Sequence, residues 1–483
     1  MNALEAKDAC IGCGQYLNWK KIVNIQYTTF ALALCASVLV AMMSPGVFAY
    51  TNIEQSSIQR KQSIQQLDDL IQFAINRDSG RKQYQAQSQA IRETGVSQST
   101  LMDPKLKVGF GGLPVDSFRF DEDPMTNISV GLMQQFERGS SSNLKQKRAN
   151  QQADGMALQV DGRAIDIANS LTQLWLELGY QQYAHQVLKE NRRLMMEMEQ
   201  FIETNYGLGK SEVQDLLNAQ LNVSKLDEKI LSNQQMQRRI LSQMSEWLGD
   251  EWLYQNSDAM ATNQISWPQL DDYLESAGES TQHYQRINEH PVVKMADQTI
   301  ASNETQVALA EQAYTPQFGV EVMYAYRQAD NMRGEPASDL VSAYLTMDIP
   351  LFTDNRQDRD LAAAQYQVGA SRSQKDVLLA QMNAKVNALL IDRINLKERI
   401  DRFKTTLLSQ ASARTQAVER GYQNNTAQYN DVISASSDEL TLALEYQRLI
   451  TDLSLVNSSL SALLGGFTFQ ANPPTITNNE SLR

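Results

Sequence analysis

The chain has 483 residues, a formal net charge of −13, 42% hydrophobic and 7% aromatic residues. That profile, rich in Gln, Ser, Asn and Ala, suits long helices with narrow apolar seams better than a compact enzyme core, and its acidity argues against a nucleic-acid partner, which needs a basic face. Three histidines (His185, His283, His290) leave little for a His-based catalytic or zinc cluster. No Ser/His/Asp arrangement, phosphate loop or zinc motif is present, so neither enzyme nor cofactor is expected.

Lys20-Lys21 precedes an apolar run from Phe30 to Met43, then Ser44-Pro45-Gly46 and Val47-Phe48-Ala49. Basic flank, short apolar core and small residues predict a secretory signal peptide over 1–49, cleaved after Ala49. The run, about 14 residues, falls short of the roughly 20 of a spanning helix, which weighs against a membrane anchor. All three cysteines (Cys10, Cys13, Cys35) lie in this segment, so the mature chain is expected to carry none. Leu32-Ala33-Leu34 before Cys35 is a poor lipidation sequence.

Residues 53–98 are polar and helix-compatible, with Leu67, Leu70, Ile71 and Ala74 at helical spacing. Gly80 is the only breaker expected before Gly95, and Asp103-Pro104 is the expected stop. The period then changes to two. Leu106, Val108 and Phe110 share one face of a strand at about 105–110; Ile128, Val130, Leu132 and Phe136 do so at about 127–136. From Ser140 to about Tyr206 no proline occurs, predicting a helix of 67 residues, roughly 100 Å long. A return helix reaches Leu248. Residues 249–290 read as irregular and hold the boundary between two structural repeats, 50–263 and 264–466.

The second repeat follows the same order. His290-Pro291 opens a helix to about Tyr314, and Thr315-Pro316 mirrors Asp103-Pro104. Strands are expected at about 317–327 and 340–351, the latter closed by Pro350. A long helix from about Asp354 to Gln423 carries Met382, Val386, Leu389, Leu396, Ile400, Phe403 and Leu407 at coiled-coil spacing. The return helix ends near Leu464, and 467–483, with Pro473-Pro474, reads as a flexible tail.

Two short stretches mark the duplication. Tyr206, Gly207, Leu208, Gly209, Lys210 and Ser211 stand 216 residues before Tyr422, Gln423, Asn424, Asn425, Thr426 and Ala427. Asp215 and Ala219 precede Asp431 and Ala435 by the same offset. Gly209 against Asn425 is the informative pair, because Gly and Asn most readily adopt the left-handed conformation that ends a helix. Both stretches are predicted to be tight turns, at 207–211 and 423–427, joining long antiparallel helices.

Strands near ten residues with one apolar and one polar face suit a membrane β-barrel, where open edges are not tolerated. Four strands are too few to close one, so the chain must share them with other copies. A soluble four-stranded sheet packed on helices is the alternative. At this point the sequence resembles the TolC-like outer-membrane efflux protein family over essentially the whole mature chain. Asp103-Pro104-Lys105-Leu106-Lys107-Val108, Gly112–Asp116 with Pro124-Met125-Thr126, Gly131–Phe136, Pro316–Val320, Ile349–Arg356 and both turns carry the resemblance. The strand ends Gln134-Gln135-Phe136 and Ile349-Pro350-Leu351-Phe352 look most like the heavy-metal (CzcC/CusC-like) branch.

The resemblance implies an α+β membrane protein: a tandem-repeat protomer of long coiled-coil-like helices and four transmembrane β-strands. Three copies, a homotrimer, would build a 12-stranded β-barrel in the lipid of a Gram-negative outer membrane, continued by an α-helical barrel across the periplasm. It would be a passive exit duct, here for heavy-metal cations. It would dock on a periplasmic adaptor (a membrane fusion protein) that links it to an inner-membrane transporter of the resistance-nodulation-division class. Both turns would lie at the periplasmic tip and contact the adaptor. In the family, carboxylates just beyond the second turn can ring the closed aperture. Asp431 matches the first such position, and Ser434 stands at the second, where the carboxylate is missing. An Asp at a helix N-terminus also simply favours the helix dipole. Met195-Met196-Glu197-Met198 offers soft thioethers, but methionine equally fills helix seams, and no metal site is expected. A type I secretion or multidrug duct, and a non-channel extracytoplasmic coiled-coil scaffold, remain as alternatives.

Overall fold

The computed structural model describes residues 66–256, 259–276, 281–424, 426–465 and 467–469, all within the compact unit Gln59–Arg483. The expected signal peptide with its cysteines, Asn425 and the tail beyond 469 lie outside the described residues. The chain is helical over 66–77 (α1) and over α2 (Ser79–Ser99). The break falls at Asp78 and not at Gly80, which lies inside α2 with Gly95. The Asp78 carboxylate accepts from the Arg81 backbone N–H at 2.7 Å and from the Arg163 guanidinium at 3.2 Å. A side chain that captures a backbone donor starts a new helix there. α2 also stops before the expected Asp103-Pro104, because Thr100 is already extended and both its N–H and its hydroxyl donate to the Val96 carbonyl.

Four antiparallel strands, β1 (Lys105–Gly111), β2 (Asn127–Gln135), β3 (Gln317–Tyr326) and β4 (Leu340–Asp348), form one sheet in that order. The register aligns apolar residues across it: Leu106, Leu132, Val322 and Ala343 in one row, Val108, Val130, Tyr324 and Val341 in the next. This face is bare. Val108 is 68% and Leu345 73% exposed, so the sheet does not pack on the chain's own helices as a soluble sheet would. The opposite face carries Lys107, Ser129, Glu321, Ser342 and Thr346, with Lys107 Nζ 2.7 Å from the Glu321 carboxylate. β1 and β4 each leave an edge unpaired within the chain. β4 ends short of the expected Leu351: the Arg138 guanidinium binds the Asp348 carboxylate, and Pro350 has no N–H to extend a ladder.

The helix α3 (Ser141–Gly207) has 67 residues without a break, and α4 (Val213–Leu248) returns along it. The segment 249–290 is not irregular. It holds α5 (Asp250–Gln255), α6 (Pro268–Ser276) and α7 (Thr281–Glu289), stabilised because Leu270 and Ile287 are fully buried in the midsection core with Trp175, Trp267 and Met244. The chain after α5 crosses α3 at backbone contact: a Cβ on Gly179 would lie 2.2 Å from the Thr262 carbonyl carbon. α8 (Pro291–Glu311) starts with proline in its first turn and ends in a 3₁₀ turn. The second long helix, expected to be continuous, is α9 (Gln357–Arg402), a π-helical turn (Phe403–Leu407) and α10 (Leu408–Gln423); α11 (Tyr429–Leu464) returns.

Near the sheet the helices pack in the order α2, α3, α8, α9, matching the order of the strands they adjoin. Farther along, the order is α4, α3, α11, then α9 and α10. Ion pairs tie neighbours together. Arg448 bridges α11 to Glu177 of α3 at 2.6 Å, and buried Arg393 of α9 binds Asp271 of α6 and, at 3.0 Å, Asn457 of α11.

Candidate functional site at the paired helix turns

The first turn is a Schellman motif. Gly209 has φ +70°, its N–H donates to the Tyr206 carbonyl at 2.9 Å, and the Lys210 N–H donates to the Asn205 carbonyl at 2.8 Å. Together these satisfy carbonyls that the helix end leaves open. A Cβ on Gly209 would meet no atom within 4 Å, so glycine is required there by the backbone angle alone. The second turn repeats the longer bond 216 residues on: the Thr426 N–H donates to the Gly421 carbonyl at 2.8 Å, and the Thr426 hydroxyl donates to the same oxygen at 3.0 Å. These bonds bracket Asn425.

Tyr206 and Gly207 end α3, Leu208 is its C-cap, and Lys210 and Ser211 lead into α4. Tyr422 and Gln423 end α10, with Asn424 as the C-cap. Side-chain packing then separates the two turns. Tyr206 is well exposed, whereas its counterpart Tyr422 sits between Phe201 of α3 (6.1 Å between centroids, edge-on) and Tyr429 of α11 (6.5 Å). Tyr429 is 4% exposed, and its counterpart Val213 is 53% exposed. Ile202, Ala219 and Tyr429 form a small core joining both repeats.

Burial pushes the Tyr429 phenol up to about 12; the nearby Tyr422, Asp215 and Glu199 add to this, and Asn222 opposes it. No group among the described residues meets the Tyr429 hydroxyl in good bonding geometry, so Asn222 relieves it only by proximity. The Tyr422 phenol is also raised, by burial and then by Asp215. Sequence reasoning missed Tyr429 and Phe201, although Tyr429 aligns with Val213 as the first helical residue after each turn.

Asp431 and Ser434 lie one turn apart on an exposed face of α11. The Asp431 carboxylate accepts from the Gln428 N–H at 3.0 Å, and the Gln428 side chain in turn accepts from the Asp431 backbone, closing a capping box. At the matching place in α4, Glu212 precedes Asp215 and the N-cap side chain makes no such bond. The three thioethers of 195–198 diverge. Met195 packs in the α3–α4–α11 seam, Met198 at the tip core, and the Met196 sulfur lies 2.9 Å from the Arg192 guanidinium. Among the described residues no group of three or more His, Cys, Asp or Glu is placed to hold a metal ion.

The fold is similar to that of solved outer-membrane proteins. The structure aligns with VceC, an outer membrane protein from Vibrio cholerae, at TM-score 0.69 and 14% identity, over 85% of this chain and 98% of that one. It aligns with CusC, solved in a study of folding and transmembrane channel formation, at TM-score 0.69 and 15% identity, over 83% and 92%. The open state of the Neisseria gonorrhoeae MtrE outer membrane channel aligns at TM-score 0.63 and 12% identity, over 83% and 89%. At the level of sequence, no family model and no curated protein matches the chain. The likeness is one of fold. No helix of the described residues is long and apolar enough to cross a membrane.

Proposed function

We propose that this chain is a TolC-like protein, one protomer of a homotrimeric exit duct in the outer membrane of a Gram-negative bacterium. Three sheets of four strands close edge to edge into a 12-stranded barrel, and the helices continue the lumen through the periplasm. The observation that carries this reading is the sheet: its apolar face is bare, its other face is polar, and both edges are open. In lipid such edges must be paired, and the antiparallel order lets β4 of one copy pair with β1 of the next. The shared fold of VceC, CusC and MtrE supports it.

The duct is passive. Its tip, Tyr206–Ser211 and Tyr422–Thr426, receives a periplasmic adaptor that connects it to an inner-membrane pump of the resistance-nodulation-division class. Asp431 and Ser434 face the aperture, where three copies of Asp431 attract cations. The cargo we favour is heavy-metal cations, on the strand ends Gln134-Gln135-Phe136 and Ile349–Phe352. A multidrug or type I secretion duct uses the same scaffold, and the metal and drug sensitivity of a deletion strain separates them. The channel itself is tested by reconstituting the purified protein in planar bilayers. Detergent-resistant trimers and stable conductance are expected; absence of both overturns the duct in favour of a coiled-coil scaffold.

A further inference from the structure

In the midsection, α6, α7 and the start of α8 close over the last described residues of the chain. Arg286 of α7 lies between two rings, 4.8 Å from the centroid of Tyr273 of α6 and 4.6 Å from that of Phe467. Its guanidinium also donates to the Gly465 carbonyl at 3.3 Å. Tyr273 and Phe467 meet at 5.5 Å, and Trp267 holds Phe469 edge-on at 6.4 Å. The Ser461 hydroxyl of α11 donates to the Phe467 carbonyl at 2.8 Å. Phe467 and Phe469 form one wall of a cavity of about 740 Å³ between α1, α3 and α11, lined also by Ile71, Ala168 and Trp267.

Two of the chain's three histidines stand in this grip, His283 within α7 and His290 between α7 and α8. His290 is the N-cap of α8, and its Nδ1 accepts from the Val292 N–H at 3.3 Å. That acceptor exists only while the imidazole is neutral, because the protonated ring has two donors and no free lone pair. Acid therefore sets N–H against N–H at the start of α8. His283, 5% exposed, stands edge-on to Tyr273 at 5.8 Å, with Nδ1 3.2 Å from the Tyr273 hydroxyl. A proton there adds a second cation to the ring that Arg286 already occupies, in a place where burial makes charge costly.

The charged surroundings do not undo this. His290 is near Asp166 of α3 and the Ala462 carbonyl of α11, which both favour its cation, yet burial outweighs them and holds the imidazole below its usual 6.5. Burial alone pushes His283 down. Arg393 and Lys397 of α9 face Asp271 of α6. On α8, Lys294 is exposed and Asp297 pairs with Lys375 of α9. From Leu453 to Leu464, α11 has no ionisable side chain. A histidine held low contributes stability that is complete above about pH 6.5 and is lost as the pH falls below it.

We propose that α7 is an acid-released clasp on the end of the chain. Protonation of His290 undoes the corner between α7 and α8, and protonation of His283 sets it against Arg286. Together they free Phe467 and Phe469 and open the cavity behind them. The clasp stands apart from the duct reading; that the pH around it follows the medium rests on that reading.

Hydrogen exchange of the full-length protein tests it at about pH 7.5 and about pH 5.5, on either side of the usual imidazole range, with labelling times matched for the intrinsic effect of pH. Protection of α7, of the Val292 N–H and of 467–469 should fall roughly five- to tenfold at the lower pH, the size of one lost cap, while α4 keeps its own. His290→Asn leaves an acceptor that does not titrate, and His283→Gln leaves a neutral partner for Tyr273. The double variant should therefore keep its protection at both pH values. Arg286→Ala, which removes the grip directly, should expose 467–469 already at the higher pH. The clasp is overturned if the unmodified protein loses no more protection at 467–469 than at α4, a comparison that needs no variant to fold. Equal acid loss in the double variant, or unchanged protection in Arg286→Ala, also overturns it. If acid release is seen while the protein conducts no ions in bilayers, the clasp stands and the duct reading falls.

Discussion

The first hairpin, α3–α4, and the second, α9 to α11, close with the same long backbone bond at the same spacing, from Lys210 to Asn205 and from Thr426 to Gly421. Beyond the backbone they part. The first turn leaves Tyr206, Leu208 and Val213 in solvent, while the second folds Tyr422 and Tyr429 against α3 and locks the start of α11 with the Gln428–Asp431 capping box. The two turns thus share the bond that reverses the chain and differ in the side chains around it. The second tip leans on the first, and not the reverse.

The sharpest way to test that asymmetry is to truncate matching residues. Tyr429→Ala should cost roughly 3–5 kcal/mol of local stability, as loss of a buried aromatic does, whereas Val213→Ala should cost less than about 0.5 kcal/mol, as exposed changes do. Hydrogen exchange at both tips reads the difference, and equal costs would refute the asymmetry. Gly209→Val should cost roughly 1–2 kcal/mol, the penalty of a left-handed angle for a residue with a Cβ. Under the proposed duct reading, co-purification with a periplasmic adaptor should fall before membrane insertion does, because the strands lie elsewhere in the molecule.

Smaller effects follow from charge. Asp431→Ala should lower protection at the start of α11 by about 1 kcal/mol, and Asp215→Ala, which breaks no box, should leave α4 nearly unchanged. The Tyr429 phenol, at about 12, stands above its ordinary 10.0, so folding favours its neutral form. The linked stability is intact below about pH 10 and is lost as pH rises toward about 12. Tyr429→Phe should remove that alkaline loss and, because the hydroxyl lacks a well-placed partner, cost little at neutral pH. Asp215→Asn should lower the Tyr422 phenol toward its usual value, seen as earlier phenolate absorbance in an alkaline titration.

Much of the fold could be read from pattern. The alternation of Leu106, Val108 and Phe110 identified the apolar face of β1 directly, because side chains in a strand alternate faces. The proline-free run from Ser140 marked the length of α3. What escaped were places where side chains outvote propensity. Asp78 broke the first helix because its carboxylate captures Arg81 and Arg163, while Gly80 had no such alternative to offer. The π turn at Phe403–Leu407 interrupts a helix read as continuous from about Asp354 to Gln423, at the end of the stripe from Met382 to Leu407 read as coiled-coil spacing. At the tip, Gly209 was legible because its backbone angle demands glycine. The role of Tyr429 was not, since its burial depends on Ile202 of α3 and Ala219 of α4, more than 200 residues away in the chain.

The central claim is that the bare face of the sheet meets lipid and the polar face meets water. Ser129 and Val130 are adjacent in β2 and point to opposite faces near its middle. The decisive measurement is the fraction of protein recovered as detergent-resistant oligomer in membranes for Ser129→Arg and Val130→Arg. Arginine at the lipid midplane costs about 2–4 kcal/mol, so Val130→Arg should lose most of its inserted oligomer while Ser129→Arg retains it. Equal recovery of the two, or loss of Ser129→Arg alone, would contradict the account.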